Sequence, residues 1–155
     1  MPQRGGFLKG CCFIGHKDCP NNIRDKLRDD IRRLINKGVE TFYVGTQGNF
    51  DKVVYEVLRE LEREYEIKTI VVLAYLDRKS QNIYFDMDKT VFPDELTKVP
   101  LRFAIRRRNS YMIDCSDYVI TYLNTPYSNT IANVEEAIRK KKVVINLGDY
   151  SIEKI

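Results

Sequence analysis

Apolar residues along this chain come in two kinds of run, and the two kinds alternate. Phe7-Leu8-Lys9-Gly10-Cys11-Cys12-Phe13-Ile14 is nearly continuous and stops at Gly15, which reads as a first strand. Pro20-Asn21-Asn22 interrupts the chain, and either asparagine can cap a helix. Ile23, Leu27, Ile31, Leu34 and Ile35 then recur at helical spacing between charged residues, and Asn36-Lys37-Gly38 ends that helix with glycine in the exit position. Val39 to Gly45 predicts a second strand, and Asn49 to about Tyr65 a second helix that buries Val53, Val54, Val57, Leu58 and Leu61. Lys68 to Tyr75 is apolar on consecutive positions, as suits a strand covered on both faces.

The pattern breaks from Leu76 to about Val99. This stretch is polar, with Asn82 to Asp86 readable as a short strand and Pro93 and Pro100 as breakers. Segments of this length without a strong element often serve as lids or binding loops. A short helix is expected over Leu101 to Met112, and a fourth strand over Tyr118 to Leu123. A third long helix over Thr130 to Lys141 buries Ile131, Val134, Ala137 and Ile138, and Lys142 to Leu147 closes as a fifth strand. Strand–helix alternation with double-sided strands predicts one α/β domain over residues 1–155. The expected fold is Rossmann-like and doubly wound, a mainly parallel five-stranded sheet with helices on both faces.

Composition narrows the class. Lys and Arg number 26 against 22 Asp and Glu, and the resulting +4 does not call for a dedicated DNA-binding surface. Nucleic acid is therefore not the expected partner. No apolar run approaches the ~20 residues of a membrane span, and no long apolar stretch follows Met1-Pro2-Gln3-Arg4-Gly5-Gly6, so neither membrane nor secretion is expected. Cys11, Cys12, Cys19 and Cys115 lack the spacing of a disulfide framework, which makes a reducing cytoplasm the default. The single histidine excludes any mechanism that needs two.

Doubly wound sheets bind ligands at the carboxyl edge of the strands, where strand order reverses. The segments that follow the strands are Gly15-His16-Lys17-Asp18, Gly45-Thr46-Gln47-Gly48-Asn49-Phe50-Asp51 and Asn124-Thr125-Pro126-Tyr127-Ser128-Asn129-Thr130. The second and third lead straight into helices, whose free N–H groups and positive ends suit anions. Gly45 and Gly48 allow close backbone approach to a phosphate, and Ser128, Asn129 and Thr130 add donors. The glycines serve tight turns equally well, and Asn49 or Ser128 serve as caps. Neither a Walker A loop nor GxGxxG is present.

His16 reads either as a general acid or base or as a residue that shapes the first loop and contacts ligand; the second role is favoured. Cys11, Cys12, His16 and Cys19 resemble a metal cluster only at a glance. Adjacent residues of a strand point to opposite faces, so no metal or cofactor is expected. Arg106-Arg107-Arg108-Asn109 is either a solvated helix face or a source of guanidiniums that grip phosphate bidentately.

Six segments together carry a resemblance: CCFIGHK at 11–17, FYVGTQGNFD at 42–51, VVLAYL at 71–76, PLRFAIRRRN at 100–109, DYVITYL at 117–123 and VVINL at 143–147. In this order they resemble the SLOG superfamily, the Rossmann-like group that includes the DNA-processing protein DprA and the LOG phosphoribohydrolases. The likeness is to its small stand-alone bacterial members, and it spans nearly the whole chain. It implies a nucleotide or nucleotide-derived ligand across two phosphate-binding loops, an Arg-Asn pair at Arg108 and Asn109 near the ligand edge, and a homodimer. Members usually carry a Gly-Gly pair before the last long helix, and LOG enzymes follow it with Thr and a catalytic Glu. Here that place reads Ser128-Asn129-Thr130-Ile131-Ala132-Asn133. Only Thr130 matches; the catalytic position falls on Ala132 or Asn133, with Glu135 and Glu136 further along the helix.

The expectation is therefore a cytoplasmic protein that binds a nucleotide-like small molecule as a sensor or sequestering protein. The alternatives are a LOG-like hydrolase of an N-glycosidic bond, with Glu135, Glu136, Asp51 or Asp114 as carboxylate and His16 assisting, and a DprA-like DNA-associated module.

Overall fold

The computed structural model describes residues 9–76, 89–126 and 128–155. Along the chain lie β1 (Lys9–Gly15), α1 (Arg24–Asn36), β2 (Val39–Val44), α2 (Gly48–Leu61) and β3 (Lys68–Val72). There follow β4 (Thr90–Val91), α3 (Leu101–Asp114), β5 (Tyr118–Tyr122), α4 (Thr130–Arg139) and β6 (Val143–Asn146). The strands form one parallel sheet in the order β4-β3-β2-β1-β5-β6. The chain steps outward from β1 to β4, then crosses back to lay β5 on the other side of β1. Strand order thus reverses between β1 and β5, where Gly15 stands opposite Tyr122.

Alternation along the strands divides the core into two. On one face Phe13, Phe42, Val44 and Ile120 pack against Leu27, Ile31 and Leu34 of α1 and Phe50, Val54, Val57 and Leu58 of α2. On the other, Cys12, Ile14, Val72 and Val119 pack against Met112 and Ile113 of α3 and Ala137 of α4. Cys11 and Cys12 accordingly sit in opposite cores. Each fully buried large apolar side chain contributes about 1.5–3 kcal/mol relative to exposure. Between α1 and α2 with the turn that follows it, Arg24–Glu56, Arg28–Glu60 and Arg32–Glu64 make a ladder of ion pairs at 2.7, 2.8 and 3.3 Å. Exposed rungs of this kind add at most about 1 kcal/mol each.

The doubly wound parallel sheet is as expected, but it has six strands where five were predicted. The extra strand is β4, two residues that pair with Val71 and Val72 of β3. A strand of two residues lacks the length to show a period, so the sequence pattern passed over it. The helix predicted as short, Leu101 to Met112, runs 14 residues to Asp114. The strand reading of Asn82 to Asp86 lies outside the described residues, as do Phe7 and Leu8.

Candidate functional site

The end of β1 and the turn into α2 are stitched together. Gly48 adopts φ +78°, a left-handed conformation open to glycine, and a Cβ there would lie 2.7 Å from the Cα of Lys17. The Lys17 carbonyl accepts the N–H of Asn49 at 2.8 Å, and Asn49 Nδ2 donates to the Cys19 carbonyl at 2.6 Å. The Gln47 N–H donates to Asp51 Oδ2 at 2.8 Å, so an acidic side chain in the first turn of α2 holds the turn before it. Gln47 Nε2 reaches the Tyr75 hydroxyl at 3.3 Å, and the preceding Thr46 is half-buried.

Gly15 packs against the Phe50 ring; a Cβ there would meet Cδ2 at 2.7 Å. The next residue, His16, stands edge-on to Tyr122 with ring centroids 6.0 Å apart. Its Nε2 is buried with no hydrogen-bond partner among the described residues. Burial lowers its pKa against the opposing pull of Asp18, which favours the neutral imidazole.

Arg108 projects from α3 beneath the Gly45 turn and is 2% exposed. Its Nη1 donates to the Val72 carbonyl at 3.1 Å and its Nε to Asn109 Oδ1 at 2.9 Å. Asn109 in turn donates to Asn133 Oδ1 on α4 at 3.3 Å. Asp51 is also buried; desolvation pushes its carboxyl up to about 6, while the Arg108 charge and the Gln47 N–H pull it down. Arg106 and Arg107 are exposed. They line a groove of about 640 Å³ with Lys98, Phe103 and Ser110 on the outer side of α3.

At the start of α4, Ser128 Oγ accepts the Thr130 N–H at 3.0 Å, Asn129 is exposed and Thr130 is nearly buried. The preceding loop is held from the other side. Asn146 Oδ1 accepts the Leu123 N–H at 2.8 Å, and Asn124 Oδ1 accepts the Asp149 N–H at 2.7 Å. Of the carboxylates proposed for hydrolysis, Asp51 lies in the first turn of α2, and the other three sit elsewhere. Glu136 accepts from Ser110 Oγ at 2.7 Å and from Lys140 Nζ at 2.8 Å. Asp114 pairs with the same lysine at 2.6 Å, and Glu135 is exposed.

Gly15, His16, the Gly45–Asp51 segment and the start of α4 therefore follow three strands at one carboxyl edge, with Arg108 and Asn109 reaching it from below. Glu135, Glu136 and Asp114 do not join them. The family resemblance marks Asn133 only as one of two places for the missing glutamate. It is 3% exposed and linked to Asn109, and the available signal was an amide on the face of α4 that carries Thr130, Val134 and Ala137. Among the described residues no helix is long and apolar enough to cross a membrane.

Two solved structures share this fold. DNA processing protein A (DprA) from Streptococcus pneumoniae aligns with a TM-score of 0.70 at 17% identity, over 94% of this chain and 52% of its own. The molybdenum cofactor carrier protein MCP from Chlamydomonas reinhardtii aligns with a TM-score of 0.62 at 15% identity, over 94% of this chain and 81% of its own. The chain thus spans about half the length of DprA. No curated protein sequence matches. The model of the YspA SLOG family matches residues 11–154, and the chain, with its Rossmann-like six-stranded sheet, belongs to that family.

Proposed function

We propose that this protein binds a nucleotide or nucleotide-derived small molecule at the carboxyl edge between β1 and β5, as a sensor or sequestering protein. The observation that carries the reading is the convergence there of His16, with its buried and unpartnered Nε2, the left-handed Gly48 that opens α2, and the first turn of α4. Neutral imidazole offers a donor or an acceptor to a ligand, and the two helix starts favour anionic groups. Binding without turnover is supported by the engagement of Glu136 with Ser110 and Lys140, and by the carrier role that the name of MCP gives to a protein of this fold. A homodimer in the cytoplasm fits the family resemblance and the four buried free thiols.

The test is mass spectrometry of small molecules released from the purified protein, followed by calorimetric titration of the molecule found. Saturable binding without product formation is expected, and Gly48→Val, strained by its φ and by Lys17, is expected to lose it. Release of a free base would select the hydrolase, and steeply salt-dependent binding of single-stranded DNA would select the DNA-associated module. Wild-type affinity in a folded Gly48→Val variant would remove the turn from the site.

A further inference from the structure

Arg108, Asn109 and Asn133 form a hydrogen-bond chain whose direction is set at one end. A guanidinium only donates. Arg108 Nε donates to Asn109 Oδ1, so the Asn109 amide turns its Nδ2 the other way, toward Asn133 Oδ1. Asn133 must then present its own Nδ2 as a donor, and that atom is buried with no partner among the described residues. Turning the Asn133 amide over would set two N–H groups against each other, so the orientation follows from the chain. Buried donors are nearly always satisfied in folded proteins, and an orphan needs an explanation.

The surroundings say what kind of partner is missing. Asn133 lies in the first turn of α4, at the positive end of that helix. The arginine at the head of the chain polarises both amides in the same sense. Such a place favours an electron-rich oxygen and disfavours an N–H.

We propose that Asn133 is a specificity-determining residue: its Nδ2 donates to a phosphoryl or oxo oxygen of the ligand, and Arg108 and Asn109 are positioning residues that hold the amide in that sense. The proposal rests on the nucleotide reading above and adds the polarity of one contact.

Calorimetric titration of wild type, Asn133→Asp and Asn109→Asp tests it, with inorganic phosphate and the monophosphates of inosine, adenosine, uridine and cytidine as probes. Asn133→Asp keeps the bond from Asn109 but offers the ligand only acceptors, and binding should fall by roughly ten- to a hundredfold. Asn109→Asp accepts from both neighbours, which turns Asn133 Nδ2 toward residue 109 and its oxygen away from it. The same loss should follow without any change at the contact itself. If the acceptor is a phosphoryl oxygen, inorganic phosphate loses affinity as well. If it is an oxo oxygen, wild type prefers inosine and uridine monophosphates, and Asn133→Asp prefers the amino bases. In wild type the Asn133 side-chain amide resonances should move on saturation with the tightest probe. Unmoved resonances, or two folded variants that bind as wild type does, overturn the proposal while the nucleotide reading stands. Failure of wild type to bind any probe overturns both.

Discussion

The guanidinium of Arg108 occupies the space that a side chain at Gly45 would fill: a Cβ there would lie 2.6 Å from the arginine Cζ. The glycine after β2 is thus paired with a buried arginine from α3, far along the chain. Gly45→Ala should displace Arg108 from the Val72 carbonyl. Arg108→Ala should leave that carbonyl and Asn109 short of a donor, a loss of roughly 2–3 kcal/mol in stability. Arg106→Ala and Arg107→Ala, at exposed positions, should stay within about 0.5 kcal/mol of wild type. Urea unfolding of the four variants decides it; equal stability of all three arginine variants would mean that Arg108 is not a strut.

Asp51 gives the fold a pH dependence of one sign. Its carboxyl is pushed from 3.8 up to about 6 by burial, so in that window the folded chain binds more protons than the unfolded one. Stability should therefore fall as pH rises through the window, by on the order of 3 kcal/mol for this group. Asp51→Asn should flatten the slope. Arg108→Met should raise the Asp51 pKa further, because the guanidinium charge is what holds it down. Carbon-detected NMR titration of the carboxyl measures both; a midpoint that does not respond to Arg108→Met rules out the coupling.

His16 has the opposite sign. Burial lowers its pKa from 6.5, so between the lowered value and 6.5 the unfolded chain binds more protons. This contribution is present above 6.5 and is lost as pH falls through the folded value. The imidazole proton resonances should titrate below 6.5, and His16→Gln should remove that part of the acid sensitivity. A midpoint above 6.5 would contradict the neutral imidazole assigned to the site.

The cysteines should be inert in the native state. All four are buried and free, and burial pushes Cys12 up to about 12 and Cys19 up to about 11. A thiol reacts as its thiolate. A disulfide-exchange reagent should therefore label them slowly in the folded protein and at all four positions after unfolding. Rapid labelling of Cys11 or Cys12 without denaturant would show that the two cores open readily.

Much of this molecule is local in origin, and that part was legible along the chain. The consecutive apolar positions of Cys11 to Ile14 and Ile70 to Val72 specify strands covered twice, and the spacing of Leu27, Ile31 and Leu34 specifies a helix with one buried face. These patterns, with Gly48 before α2, are enough for a doubly wound sheet and for the turns at its carboxyl edge. They follow from side-chain period and from the backbone freedom of glycine, both properties of neighbouring residues. The rest depends on which distant residues meet. The pair Thr90-Val91 becomes a strand because β3 offers it an edge, not because of its own pattern. Arg108 lies in a run of three arginines that composition cannot tell apart; the turn of α3 buries one and leaves the other two in solvent. The glutamates two and three residues beyond Asn133 were candidates until packing set Glu136 against Ser110 and Lys140. And Asn133 keeps an unpaired buried donor only because Arg108, which cannot accept a hydrogen bond, stands at the other end of the chain.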